Sequence, residues 1–157
     1  ANGGDGVWPY GIEEIRDRAD NIVYRRQGSG PGRVIDPAPA AAMNGMLARV
    51  IAEGTGRKAR IGRPAAGKTG TSQNHRDAWF VGFTADLVAG IWMGNDDERA
   101  TRKVTGGGLP AQTWGAYMTA AHKGIAAKPL AGTGKSAPRD PQEGFWDRLL
   151  VTLKGEG

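Results

Sequence analysis

The sequence predicts an α+β fold, an antiparallel sheet with flanking helices, and three observations carry that expectation. The runs AWFVGFT (78–84) and LVAGIWMG (87–94) are apolar with period two on either side of Ala85-Asp86, the pattern of two strands joined by a tight hairpin. Between Asp36 and Gly54, Met43, Leu47, Val50 and Ile51 recur instead at i, i+4, i+7 and i+8, the period of a helix with one buried face. Twenty-six glycines and nine prolines among 157 residues call for frequent turns rather than a helical bundle.

Two short strands are expected in the first 27 residues, where Val7, Tyr10, Ile12 and Ile15 precede a turn at Asp20-Asn21 and Ile22, Val23 and Tyr24 follow it. GSGPGR (28–33) reads as a loop. In the helix at 37–53, Asp36 is the expected cap and Pro37 suits a first turn, where its missing N–H is no loss. Gly54 is placed to close that helix in the left-handed conformation. Strands follow at 65–71, 77–84 and 87–94. Trp79, Val81 and Phe83 share one face, as do Leu87, Ala89, Ile91 and Met93, while Val88 and Trp92 lie on the other, so the sheet is at least partly covered on both sides. TGGGLP (105–110) is a loop, and a second helix at 110–123 carries Trp114, Tyr117, Met118 and Ala121 on one stripe with Gly124 beyond its end. The three tryptophans Trp79, Trp92 and Trp114 are read as packing residues. From Lys128 the composition shifts to the Pro, Gly, Lys and Ser of a linker, and GFWDRLLVTL (144–153) spaces Phe145, Trp146, Leu149, Leu150 and Leu153 along one side of a short helix. The chain therefore divides into 1–124 and a Pro/Gly-rich linker with a short amphipathic tail at 125–157.

An apolar share of 39% against 24% charged residues is globular rather than disordered, and 157 residues suffice for one core. No apolar run approaches the roughly 20 residues of a membrane-spanning helix, and no signal peptide opens the chain. The net charge of +5 raises the question of nucleic acid. The densest basic group, Arg57, Lys58, Arg60 and Arg63, alternates with Ala, Ile and Gly and has no aromatic neighbours for stacking, so it reads as a solvated face and no nucleic-acid partner is expected. The absence of cysteine is compatible with the cytosol and with export alike.

The chemistry concentrates in GRPAAGKTGTS (62–72), which fits two patterns. From Gly62 it spells G-x-x-x-x-G-K-T, a phosphate loop ending at Gly67, Lys68 and Thr69; from Lys68 it spells K-T-G-T-S. A phosphate loop needs a buried strand before it and a helix directly after it, because backbone amides and the helix N-terminus hold the phosphates. Here RKARI precedes and the turn-prone TGTSQNHRD follows. A K-T-G-T strand asks for something else. It lines a cleft with an ammonium, two hydroxyls and backbone amides, a set suited to an anionic peptide terminus and to an oxyanion. With period two, Lys68 and Gly70 face one way and Thr69 and Thr71 the other, and glycine at 70 keeps the surface low for a ligand.

Beyond the box, GKTGTSQNHRDAWFVGFTADLVAGIWMGNDD resembles the C-terminal part of the transpeptidase domain of bifunctional (class A) penicillin-binding proteins. ANGG with Val7, Pro9, Tyr10, Ile12 and Ile15 resembles the segment after that family's second motif. MNGMLARVIAEGTGRKA resembles the helix leading into the box, and TGGGLPAQTWGAYM the loop and helix that close the domain. The resemblance runs in family order over about residues 1–124.

It implies the C-terminal portion of a penicillin-binding/β-lactamase-like fold and a serine acyl transfer that cross-links peptidoglycan stem peptides. Lys68 is then the catalytic lysine of the box, and Lys68, Thr69, Gly70, Thr71 and Ser72 are the substrate-binding residues. Thr69 and Thr71 would meet the substrate carboxylate and the Thr71 amide would lie in the oxyanion hole. The implied partners are stem peptides ending in D-Ala-D-Ala and β-lactams, the implied place is the periplasmic face of the bacterial inner membrane, and no cofactor or metal is expected. The family's S-x-x-K nucleophile motif is missing: none of Ser29, Ser72 and Ser136 has a lysine three positions on, and Ser72-Gln73-Asn74 stands in the wrong place to be the second motif. The chain reads as the C-terminal part of a larger enzyme, inactive alone and without the membrane anchor of its family. With sheet edge or apolar face left uncovered it is expected to self-associate. His75 reads as a turn residue, His122 as a partner of its own helix terminus, and Asp96-Asp97-Glu98 as solvated carboxylates. A phosphate-loop nucleotide hydrolase and a non-catalytic binding module are the alternatives.

Overall fold

The computed structural model describes residues 1–28 and 30–134. Two small antiparallel pairs open the chain, β1 (Asp5–Gly6) with β4 (Gly32–Arg33) and β2 (Glu14–Arg16) with β3 (Ile22–Arg25). The β2–β3 hairpin turns where Asp17 accepts the N–H groups of Ala19 and Asn21 at 2.8 and 2.9 Å and Asp20 takes φ 66°. The guanidinium groups of Arg16 and Arg25 hold the Glu14 carboxyl below its ordinary range across this pair. Its apolar residues Ile15, Ile22, Val23 and Tyr24 remain exposed. The GSGPGR loop is shorter than its composition suggests, because Gly32 and Arg33 pair with β1. The approach is close: a Cβ on Gly4, which has φ +102°, would stand 2.1 Å from the Ile35 carbonyl oxygen, so only glycine fits there.

Helix α1 (Pro37–Ala52) stands where the periodicity puts it, but neither end closes as expected. Asp36 is the N-cap residue and makes no side-chain cap, since Pro37 and Pro39 occupy N1 and N3 and the latter has no N–H to offer. Gly54 does not take the left-handed conformation. A Cβ there would meet Val50 Cα at 2.9 Å, so its role is close packing against the last turn. Met43 is exposed, while Leu47 and Ile51 pack.

The main sheet is three-stranded and antiparallel in the order β5 (Ala66–Thr71), β6 (Asp77–Phe83), β7 (Val88–Gly94), as the alternation predicts. Thr84 N–H bonds the Leu87 carbonyl at 2.9 Å around Ala85-Asp86, which makes the connection a tight hairpin. One face buries Ala78 and Phe80 under helix α2 (Leu109–Ala121), whose Trp114 meets Phe80 edge-on at 5.2 Å and donates its indole N–H to Ala89 O at 3.0 Å. On α2 the buried stripe is Pro110, Ala111, Trp114, Gly115 and Met118; Tyr117 is exposed, one position off the stripe. Gly124 follows with φ +79°. The other face carries Lys68, Val81, Trp79 and Trp92, and only its end, at Ala66 and Phe83, is covered by Leu47 and Ala48 of α1 together with Leu130. Trp79 and Trp92 are thus not core residues: they are 45% and 41% exposed, with ring centroids 6.3 Å apart.

The stretch read as the start of a linker lies against the body as far as Thr133. Leu130 is buried, Asn44 donates to Ala131 O at 2.9 Å, and Lys128 pairs with Asp86, holding that carboxyl below its ordinary range. The boundary at 124 therefore does not coincide with the end of packing, because an apolar residue amid Pro, Gly and Lys fills the gap beside Phe83. The amphipathic tail 144–153 lies outside the described residues. Among those residues no helix is long and apolar enough to cross a membrane.

Candidate functional site

Strand β5 holds the K-T-G-T box, and its neighbours explain how the box is displayed. Gly67 is buried against the Phe80 ring and the Val81 carbonyl, where a Cβ would come within 2.8 Å of each, so the strand can lie flat on the core. The Ser72 N–H bonds Asp77 O at 2.9 Å, which fixes the parity of the β5–β6 ladder. In an antiparallel pair, hydrogen-bonded residues alternate, so Lys68, Gly70 and Ser72 turn their backbone groups toward β6, and those of Thr69 and Thr71 face the open edge. β5 is an edge strand of this sheet, with β6 on one side and no strand of the described residues on the other.

The side chains follow the expected division. Lys68, opposite Val81 on the exposed face, reaches over the edge so that Nζ donates to Thr69 O at 2.9 Å. Gly70, opposite Trp79, has only that residue's Cβ within 3.4 Å of where its own would stand. Thr69 and Thr71 lie on the α2 side. Thr69 Oγ1 is 2.8 Å from Thr55 Oγ1, and Thr71 Oγ1 accepts the Gly106 N–H at 3.0 Å. Ser72 stands apart from this set. Its hydroxyl accepts the Asp77 N–H at 2.7 Å and lies 3.1 Å from Asp77 Oδ2, so it is spent on the turn rather than presented at the edge. The other Asp77 oxygen accepts the Trp92 indole N–H at 3.0 Å, which locks the turn to the exposed tryptophan face.

His75 sits in that turn with φ 56°, its Nδ1 3.3 Å from Val104 O and its carbonyl accepting both Thr101 groups, a structural placement away from β5's open edge. His122 bonds the Met118 carbonyl through Nδ1 at 2.8 Å, as its position at the helix end suggests, and Thr84 Oγ1 through Nε2 at 2.8 Å. Thr84 also accepts the N–H groups of Asp86 and Leu87, so its proton goes to His122 and the imidazole is the Nδ1–H tautomer. Asp97 of the acidic run pairs with Arg99 in an exposed loop.

This geometry overturns the phosphate-loop reading. Residues 66–71 run as one strand straight through Lys68 and Thr69, and no helix begins after them to present amides to a phosphate. Sequence reasoning did not single out Thr55, Gly106 and Gly107. The Gly-rich run 106–108 read as a loop, although a Cβ on Gly106 would come within 2.4 Å of the Trp79 and Gly70 carbonyl oxygens; three consecutive glycines before a helix were the available signal.

Comparison with known proteins agrees with this arrangement. Residues 1–118 match the family model described as the penicillin binding protein transpeptidase domain. The chain is 37% identical over 135 residues to penicillin-binding protein 1A of Neisseria meningitidis, covering 82% of this chain and 17% of that protein. It is 34% identical over 147 residues to penicillin-binding protein 1A of Rickettsia typhi, covering 78% of this chain and 19% of the relative. The chain thus spans less than a fifth of the length of these relatives. Its fold superposes on the crystal structure of penicillin-binding protein 1A from Haemophilus influenzae with a TM-score of 0.73 at 25% identity, over 88% of this chain and 29% of that one. PonA1 from Mycobacterium tuberculosis shares the fold with a TM-score of 0.70. With the K-T-G-T box on an edge strand and the matched residues running from the first hairpin into α2, the chain belongs to the penicillin-binding protein transpeptidase domain family.

Proposed function

We propose that this chain forms the K-T-G wall of a peptidoglycan D,D-transpeptidase active site working by serine acyl transfer. The observation that carries the proposal is the open edge of β5, where the Lys68 ammonium, the Thr69 and Thr71 hydroxyls and outward-facing backbone groups lie along one line. A stem peptide ending in D-Ala-D-Ala docks beside this edge. Lys68 supplies positive charge, Thr69 and Thr71 donate to the terminal carboxylate, and Gly70 leaves room for the peptide to approach the backbone. The Thr71 N–H, turned outward, stabilises the oxyanion that forms as the serine oxygen adds to the penultimate carbonyl. The carbon–nitrogen bond breaks, D-Ala leaves with a proton, and the acyl group then passes to an amine of a neighbouring strand. Ser72 contributes by holding the turn through Asp77.

The serine nucleophile and its lysine are not among these 157 residues, so the chain alone does not turn over. β-Lactams resemble the dipeptide and trap the serine of the complete enzyme, which we place on the periplasmic face of the inner membrane.

Labelling with a fluorescent penicillin, detected by intact mass, tests the proposal on this chain and on one extended upstream through an S-x-x-K motif. Acylation of the extended protein alone is expected. A folded extended protein that stays unlabelled would remove the transpeptidase reading and favour a non-catalytic binding module.

A further inference from the structure

We propose that Thr55 is a positioning residue for substrate, acting through Thr69, and that with the Gly106 amide it fixes the direction in which both box hydroxyls point their protons. The inference rests on the transpeptidase reading above and adds residues that lie outside the K-T-G-T box.

The argument is a count of protons and lone pairs. A hydroxyl has one proton to give and can accept two. Gly106 N–H lies 3.0 Å from Thr71 Oγ1 and can only donate, so Thr71 accepts there and its own proton remains for a ligand. Thr69 Oγ1 faces Thr55 Oγ1 at 2.8 Å, and either can be the donor. Thr55 Oγ1 has no other hydrogen-bond partner among the described residues, so it is free to supply the proton. An anion at the β5 edge settles the choice: Thr69 gives its proton to the carboxylate, and Thr55 gives its own into the lone pair left behind. The relay Thr55–Thr69–carboxylate polarises each bond in the same sense. Both box hydroxyls are then backed by a donor and aimed at the same negative charge.

The backing is built into the fold at close quarters. Thr55 stands three residues beyond α1. A Cβ on Gly107 would come within 2.3 Å of the Thr55 carbonyl oxygen and 3.7 Å of Thr69 Cγ2, so the glycine run wedges Thr55 against the strand. This places the α1 exit, the pre-α2 loop and β5 in mutual contact behind the box.

The test uses the extended, penicillin-reactive protein and two ligands, a penicillin with its free carboxylate and the methyl ester of the same compound. Thr55→Val keeps the volume and removes the proton. It is expected to slow labelling by the free acid roughly tenfold, through weaker binding rather than a slower chemical step, and to leave the ester unchanged. Thr55→Ser is expected to restore the acid. The acid-to-ester ratio within one variant does not depend on the folded fraction, so a partly unfolded sample still decides. An equal loss for both ligands, or no recovery with Thr55→Ser, overturns the role of Thr55. No labelling of the unsubstituted protein by either ligand overturns the transpeptidase reading itself.

Discussion

Gly106 shows how one residue's lack of a side chain shapes the site. It is buried, its N–H is committed to Thr71, and a Cβ would press within 2.4 Å of the Trp79 and Gly70 carbonyl oxygens and 2.8 Å of the Gly70 nitrogen. These are backbone atoms of the hydrogen-bonded Gly70–Trp79 pair and cannot swing aside as a side chain would. Gly106→Ala therefore forces the loop off the strand. The expected cost is about 2 kcal/mol or more, measured as a lowered urea midpoint, because overpacking a tight contact costs about 1–3 kcal/mol even where side chains can adjust. A change within error would mean that the loop yields easily and does not fix the box. At this scale the sequence was legible where chemistry and period coincide: Lys68, Thr69, Gly70 and Thr71 were named and their faces assigned. Ser72 and Thr55 were not placed correctly for a common reason. A hydroxyl's use depends on which partner stands 3 Å away, and Asp77 and Thr69 come near only through the fold.

At the scale of elements, α2 and the β6–β7 hairpin share the largest buried aromatic contact. Trp114 is completely buried, packs edge-on against Phe80, and satisfies its indole N–H on Ala89 O, so the helix is pinned to two strands by one side chain. Replacing it with Ala leaves a cavity bordered by Phe80, whose expected cost is about 3–5 kcal/mol. Equilibrium urea unfolding followed by circular dichroism would report it, and a loss below about 1 kcal/mol would mean that the helix is held elsewhere. The same pair of elements explains what the periodicity could and could not reveal. A period of two located β6 and β7 to within a residue, and a period of 3.6 located both helices. Neither period says which side of a strand is covered. Trp79 and Trp92 have the composition of core residues, yet they fall on the face that α2 does not reach. Leu130 was read as linker because its neighbours are Pro, Gly and Lys, and only the gap between α1 and Phe83 reveals its place.

At the scale of the whole molecule, the sheet has a second open edge besides the proposed substrate edge. Thr84 N–H on Leu87 O sets the β6–β7 parity, so the backbone groups of Val88, Gly90, Trp92 and Gly94 turn away from β6, and no strand of the described residues pairs with them. Beside this edge lies an apolar surface formed by Trp79, Val81, Val88 and Trp92, each more than 40% exposed. An unpaired edge next to exposed aromatic area is the arrangement that recruits another strand, and a second copy offers the same edge by two-fold symmetry. The chain is therefore expected to self-associate through β7 in antiparallel register. Sedimentation velocity from micromolar to submillimolar concentration should show a rising weight-average coefficient. Val88→Lys should suppress the rise, because in a two-fold pairing it sets like charges near one another across the new ladder. A coefficient that stays at the monomer value throughout would sink the expectation, while unchanged association of Val88→Lys would move the contact from the β7 edge to another surface.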